Sequence, residues 1–180
     1  MAYVKKGLIE RKQGQVDASL RDPEHLIQLA EEKGICTSPL NIAALVAELG
    51  IAVRYEPMPE DDSGSLMLDK ATGKWVMTIN SLHHPHRQRF TMAHELGHHA
   101  RHAPLSDEFR DKNFFRNAES NAMEREANAF AAELLMPKDK FENFIANTSD
   151  EIEQIAKHFQ VSSLAVRVRA KELGYSGHNL

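Results

Sequence analysis

The chain has 180 residues, 42% of them hydrophobic and 27% charged, with a net charge of -4, which fits one globular domain with at most a small appended unit. The weak negative charge supplies no broad basic field for phosphates, so direct nucleic-acid binding is not expected, and no apolar run approaches the roughly 18 residues of a membrane span. Cys36 is the one cysteine, which excludes an intrachain disulfide and a cysteine-based zinc cluster; any metal must sit on histidines and carboxylates.

Residues 1–22 are polar, follow neither hydrophobic period and read as a mobile arm. Lys5, Lys6, Glu10, Arg11 and Lys12 surround Leu8 and Ile9, which is not the apolar core of a secretory signal, so a cytoplasmic location is expected. Asp22-Pro23 opens a first helix with Leu26, Ile27, Leu29 and Ala30 as its apolar stripe and Gly34 as its stop. Ser38-Pro39 opens a second, with Ile42, Leu45, Val46 and Leu49 inward and Gly50 closing it. Three short β-rich stretches follow, Ile51 to Tyr55, Ser65 to Leu68 and Trp75 to Asn80, and suggest a small three-stranded antiparallel sheet. In the last of them Trp75, Met77 and Ile79 alternate with Val76 and Thr78, which suits a strand with two unequal faces at a sheet edge.

The periodicity then predicts a helix from Arg87 to His102 and another from Glu119 to Met136, ended by Pro137. Beyond it come a short helix at Lys138 to Ala146, a helix opened by the Thr148-Ser149-Asp150-Glu151 capping box, and a last helix after Val161-Ser162. That last pair has helix-turn-helix length, but Lys157, Arg167, Arg169 and Lys171 are balanced by Asp150, Glu151, Glu153 and Glu172, so a docking or core-completing role is favoured over DNA binding. The expected fold is α+β: a mobile arm over 1–22, a core over 23–137 that holds the sheet and the two long helices, and a helical extension over 138–180 packed on that core.

Seven of the ten histidines fall between His83 and His102. His94 and His98 are four apart in a helical pattern, so both project from one face and can reach one ion. Glu95 directly follows the first of them, where its carboxylate can take the proton of a water that zinc acidifies to a pKa of roughly 7. This His-Glu-x-x-His pattern is the signature of a zinc hydrolase. The compact extension with a third histidine is excluded, because it needs Gly and His where the chain has Arg101 and Pro104. His102 continues the spacing, but the three positions span roughly 12 Å, too far for one zinc. It is expected to face solvent at the helix C-terminus. Among the carboxylates of the second helix, Glu124 shares a stripe with Ala127, Asn128, Ala131 and Leu135 and is favoured as third ligand, with Asn128 orienting a ligand histidine. Glu126 points about 160° away in a regular helix and is expected to be a solvated charge.

The runs from Arg89 to His99 (RFTMAHELGHH) and from Glu124 to Pro137 (EREANAFAAELLMP), with Ile155 to Ser162 downstream, resemble the ImmA/IrrE family of metallo-endopeptidases over roughly positions 23 to 175. The resemblance implies Zn(2+) on His94, His98 and Glu124, with Glu95 as the catalytic acid. It also implies a protein substrate, a helix-turn-helix repressor of a mobile element or stress response. The segment from Ala103 to Met123 carries no readable motif. By analogy with zinc peptidases, the Trp75 to Asn80 strand is expected to pair with an extended substrate through Val76 and Thr78. The competing reading is a regulatory protein that binds a repressor or DNA without cutting it; the intact Glu95 weighs against it.

Overall fold

The computed structural model describes residues 21–111 and 122–175. Most of the expected N-terminal arm, the first three residues of the expected second metal helix and the last five residues of the chain lie outside them. Chain order is α1 (Pro23–Glu32), α2 (Ile42–Glu48), β1 (Ala52–Glu56), β2 (Gly64–Asp69), β3 (Lys74–Asn80), α3 (Pro85–His102), β4 (Glu108–Asp111), α4 (Ala122–Leu135), α5 (Lys138–Asn147), α6 (Ile152–Phe159) and α7 (Ser163–Glu172). An α+β chain is what the periodicity predicts.

The sheet differs from expectation. It has four strands among the described residues, in the order β1-β3-β2-β4. The β2-β3 and β2-β4 pairs are antiparallel, whereas β1 runs parallel to β3. A local hairpin accounts for β2 and β3: Asp69 accepts from the Ala71 N–H at 2.9 Å and the Thr72 hydroxyl at 2.8 Å, the turn chemistry expected of Asp at that place. The β1 strand skips its sequence neighbour and joins the far side of β3, which makes their shared direction parallel. This corrects the edge-strand role given to Val76 and Thr78. Val76 lies between Ala52 and Met67, and Thr78 between Arg54 and Ser65, so both neighbouring positions of β3 are taken and its backbone is not available to pair with a substrate.

The alternation within β3 does hold. Trp75, Met77 and Ile79 are buried while Val76 and Thr78 are half-buried, and α3 packs against β2, β3, α2 and α4. Every residue of α3 from Phe90 to Ala100 is consequently buried, as for a helix at the centre of a domain. Asn80, fully buried at the end of β3, ties down the loop between β1 and β2: its amide donates to the carbonyls of Met58, Pro59 and Asp62, and its oxygen accepts from Met58 and Leu82 N–H groups.

The C-terminal helices join the same apolar core, in which Phe141 of α5 stacks on Phe159 of α6 at 6.0 Å, and the buried Arg169 of α7 donates to the Met136 carbonyl at 3.1 Å. Two helix starts differ from the sequence reading. Asn41, not Ser38, caps α2 by accepting from Ala44 N–H at 3.2 Å. Glu151 holds the cap position of α6 without a side-chain bond, while Ser149 accepts from the Glu151 N–H at 3.1 Å, which turns the chain one residue before the helix instead of closing a capping box.

Helix α4 lies close on α3 because Gly97 has no side chain. A Cβ there would meet Ala127 Cα, Phe130 Cβ and Phe130 Cδ1, each at 3.2 Å. Alanine normally favours a helix interior over glycine by about 1 kcal/mol, but here one obstructing atom is backbone and Phe130 is buried, so overpacking of about 1–3 kcal/mol prevails. Gly97→Ala is expected to lower the urea midpoint of the metal-free protein; an unchanged or higher midpoint would show that α4 yields without loss.

Candidate metal centre

The burial of α3 places His94, Glu95 and His98 in the interior, each at most 1% exposed, and α4 brings Glu124 across from them. His94 Nε2 and His98 Nε2 are 3.1 Å apart; one Glu124 oxygen is 3.2 Å from His94 Nε2 and the other 3.3 Å from His98 Nε2. These three residues form a group whose donor atoms all lie within 4.8 Å of one another. Donors about 2.0–2.1 Å from a tetrahedral zinc are separated by about 3.3 Å, so the triangle has the size a zinc ion requires.

The outer ring nitrogens support the same assignment. His94 Nδ1 faces Asn128 Oδ1 at 3.0 Å, which calls for the ring proton at Nδ1 and leaves the Nε2 lone pair toward Glu124. His98 Nδ1 faces His102 Nδ1 at 3.0 Å. With both ring protons directed outward, two imidazole lone pairs and a carboxylate converge on one point, and a shared cation turns that convergence from repulsive to attractive. Electrostatics agree with this ligand set. Burial pushes the His94 imidazole down, further than its contact with Glu124 pulls it up, and the neutral ring is the ligating form. Burial alone would raise the Glu124 carboxyl, but its polar contacts with His94 and His98 outweigh it and hold the group well below the usual carboxylate range.

The helical stripe reasoning and the geometry meet at Glu124 and Asn128. Ala127, Ala131 and Leu135 of that stripe are buried, which lets the backbones approach. Glu95 projects toward the sheet: its Oε1 lies 3.4 Å from where a Cβ on Gly64 would stand, and that same Cβ would collide with Thr91 Cγ2. The site thus lies between α4 on one side and the start of β2 on the other.

Two residues depart from their expected roles. His102 is buried, only 3% exposed, and touches His98 as well as Glu126, whose carboxylate is 3.1 Å from His102 Nε2. Glu126 therefore carries a hydrogen-bond partner instead of standing alone in solvent, although its side chain remains 54% exposed. The four-residue spacing from His98 carried this signal: His102 is too far to share the ion but well placed to touch the ring one turn back. Phe109 of β4, whose ring stacks on His98 at 4.7 Å and 17°, had no signal in the segment from Ala103 to Met123.

The remaining histidines of the cluster lie elsewhere. His84 Nδ1 accepts from the His86 N–H at the start of α3, and His83 contacts Asn80 and the Glu60 carbonyl. Arg87 donates to the Ser63 hydroxyl at 2.9 Å, pinning the entry to β2. His99 packs edge-on against Trp75 at 5.5 Å, and burial pushes its pKa down to about 4.

Comparison with known proteins gives a matching picture. The family Peptidase_M78, described as the IrrE N-terminal-like domain, matches residues 46–171. The metallopeptidase ImmA of Bacillus subtilis (strain 168) is 35% identical over 117 residues, 62% of this chain and 64% of that protein. A Mycobacterium tuberculosis transcriptional regulator of known structure superposes with a TM-score of 0.59 at 19% identity, covering 88% of this chain and 49% of that one; at that identity the likeness concerns the fold alone. This chain thus spans less than two thirds of the length of either relative.

Glu124→Ala is expected to reduce bound zinc from near one per chain to near zero, measured by mass spectrometry after zinc loading and desalting. Glu133→Ala, an exposed position of the same helix, is expected to retain it. Equal loading of the two variants would remove Glu124 from the ligand set.

Proposed function

This chain belongs to the Peptidase_M78 family, and we propose that it is a zinc-dependent endopeptidase whose ligands are His94, His98 and Glu124 and whose catalytic acid-base group is Glu95. The observation that carries this reading is the donor triangle of two Nε2 atoms and a carboxylate at 3.1–3.3 Å, with a buried carboxylate on the residue that follows the first ligand.

A bound zinc ion supplies a Lewis acid for a peptide carbonyl and acidifies water. The protein's own residues supply the rest. His94 and His98, rotated into place by one helical turn, present Nε2 atoms whose rings are fixed from behind by Asn128 and His102. Glu124 adds a negative charge that attracts a cation to the two neutral rings. Glu95 takes the proton from the attacking water and delivers it to the departing amine, so that one carboxylate acts first as base and then as acid. Its burial between α3 and the β2 start keeps bulk water from competing for that proton.

The substrate is a protein. Helix-turn-helix repressors of mobile elements or stress responses rank first, supported by the resemblance of RFTMAHELGHH and EREANAFAAELLMP to the ImmA/IrrE family and by the similarity to the Bacillus metallopeptidase ImmA. Such a substrate fits a cytoplasmic protein, and among the described residues no helix is long and apolar enough to cross a membrane.

The test is cleavage of purified candidate repressors by the zinc-loaded protein, followed by gel and mass spectrometry. Glu95→Gln is expected to keep its zinc and lose about 10²–10⁴-fold in rate, the usual contribution of general acid-base catalysis. A Glu95→Gln variant that cleaves as fast as the parent would overturn the assignment of Glu95. A biological effect that survives this substitution would favour a non-cleaving, binding role.

A further inference from the structure

Both candidate ligand rings are held from behind. Behind His94 stands the amide oxygen of Asn128 at 3.0 Å. Behind His98 stands a second histidine, and behind that a carboxylate: His98 Nδ1 to His102 Nδ1 is 3.0 Å, and His102 Nε2 to Glu126 Oε2 is 3.1 Å. His98 and His102 are buried while Glu126 reaches the surface.

The proton inventory of this chain has one neutral-ring solution. For His98 Nε2 to face Glu124 and a metal with a lone pair, its proton must sit on Nδ1. That proton is donated to His102 Nδ1, which must then be an acceptor. A neutral His102 accepting at Nδ1 carries its own proton on Nε2, and the Glu126 carboxylate accepts it. Removing the carboxylate removes the reason for His102 to protonate at Nε2. His102 is then free to take the opposite tautomer, whose Nδ1–H points at His98 and drives the His98 proton onto Nε2, the ligand atom. Phe109 stacks at 17° to the His98 ring and limits its tilt, so hydrogen bonding is left to choose the tautomer.

We propose that His102 and Glu126 are positioning residues that hold His98 in its metal-binding tautomer, relaying the choice from a surface carboxylate to a buried ligand. The inference rests on the reading of His94, His98 and Glu124 as a metal site, and deepens it. It assigns functions to the two residues on these helices that spacing alone leaves as solvated charges.

Two measurements test it. The first is the tautomer of His98 in the metal-free full chain, read from long-range proton–nitrogen NMR correlations of the histidine rings. Relative to the parent, Glu126→Ala is expected to shift His102 toward the Nδ1–H form and His98 toward the Nε2–H form. The second is zinc affinity by chelator competition. Loss of an outer hydrogen-bond partner of a metal ligand typically weakens binding about 10–100-fold, and that loss is expected for Glu126→Ala and His102→Phe. Glu126→Gln, which keeps an acceptor oxygen for the His102 proton, is expected to stay within a few-fold of the parent. A merely structural role would lower the unfolding midpoint without moving the His98 tautomer.

An unchanged His98 tautomer together with unchanged zinc affinity in Glu126→Ala would overturn the proposal. Glu126 is half-exposed, so its variants keep the test available if His102→Phe fails to fold. A parent protein that binds no zinc would instead overturn the metal-site reading, and the tautomer measurement would still decide whether the relay exists.

Discussion

The close approach of α3 and α4 is the constraint on which the rest of the structure depends. Packed helices usually keep axes 8–10 Å apart, the lower end being reached only over small side chains. Here Gly97 of α3 meets Ala127 and Phe130 of α4, and Gly97 lies within the turn that carries His94 and His98. The donor triangle draws two of its corners from α3 and one from α4, and metal distances tolerate errors of only about 0.2 Å. A methyl group inserted between the helices would therefore be felt at Glu124 before anywhere else. The surrounding core leaves α3 little room to slide in compensation, since it is buried on all sides between the sheet, α2 and α4.

That location carries an energetic cost that the fold has to offset. His94, Glu95, His98 and His102 occupy the interior of a helix whose other buried residues include Phe90, Met92, Leu96 and Ala100. Buried polar groups without partners cost about 1–3 kcal/mol each. The structure answers with polar residues of α4: Glu124 faces His94 and His98, Asn128 meets the outer nitrogen of His94, and Glu126 meets His102, whose other ring nitrogen meets His98. The apolar side of α4, with Phe130, Leu134 and Leu135, belongs to the core that extends through Phe141 and Phe159 to Val166 of α7. The C-terminal helices thus share a core with the helix that carries Glu124.

How much of this could be read from the sequence follows from how local each feature is. The His94–His98 spacing and the Glu124–Asn128 stripe are properties of single helices, and periodicity exposes them directly. The β2-β3 hairpin is equally local, closed by the Asp69 turn. The parallel pairing of β1 with β3 is not, because nothing in either strand's alternation says which neighbour a strand will choose across an intervening hairpin. The same limit hid Phe109, whose importance exists only after β4 has paired with β2 beside His98. His102 and Glu126 are a different case. Each was considered on its own helix, one as too distant from the ion and the other as facing the wrong way, and both statements hold for ligation. Their contact depends on the crossing of two helices, which single-helix geometry does not contain.

The mixed sheet topology has a consequence for Glu95, the proposed acid-base group. With β3 in the centre, its last residue, Asn80, pairs in register with Glu56 at the end of β1 and gathers the carbonyls of Met58, Pro59 and Asp62. Those bonds shape the loop that leads into Ser63 and Gly64. Ser63 is then pinned by Arg87 of α3, and Gly64 approaches Thr91 and Glu95 so closely that no side chain fits. The surroundings of Glu95 are therefore set by the end of the sheet, whereas those of the ligand histidines are set by α4. Glu95 and the two histidines share a helix but are supported from opposite sides. Under the proposed function, a disturbance of the sheet end acts on proton transfer first, and a disturbance of the helix pair acts on metal binding first.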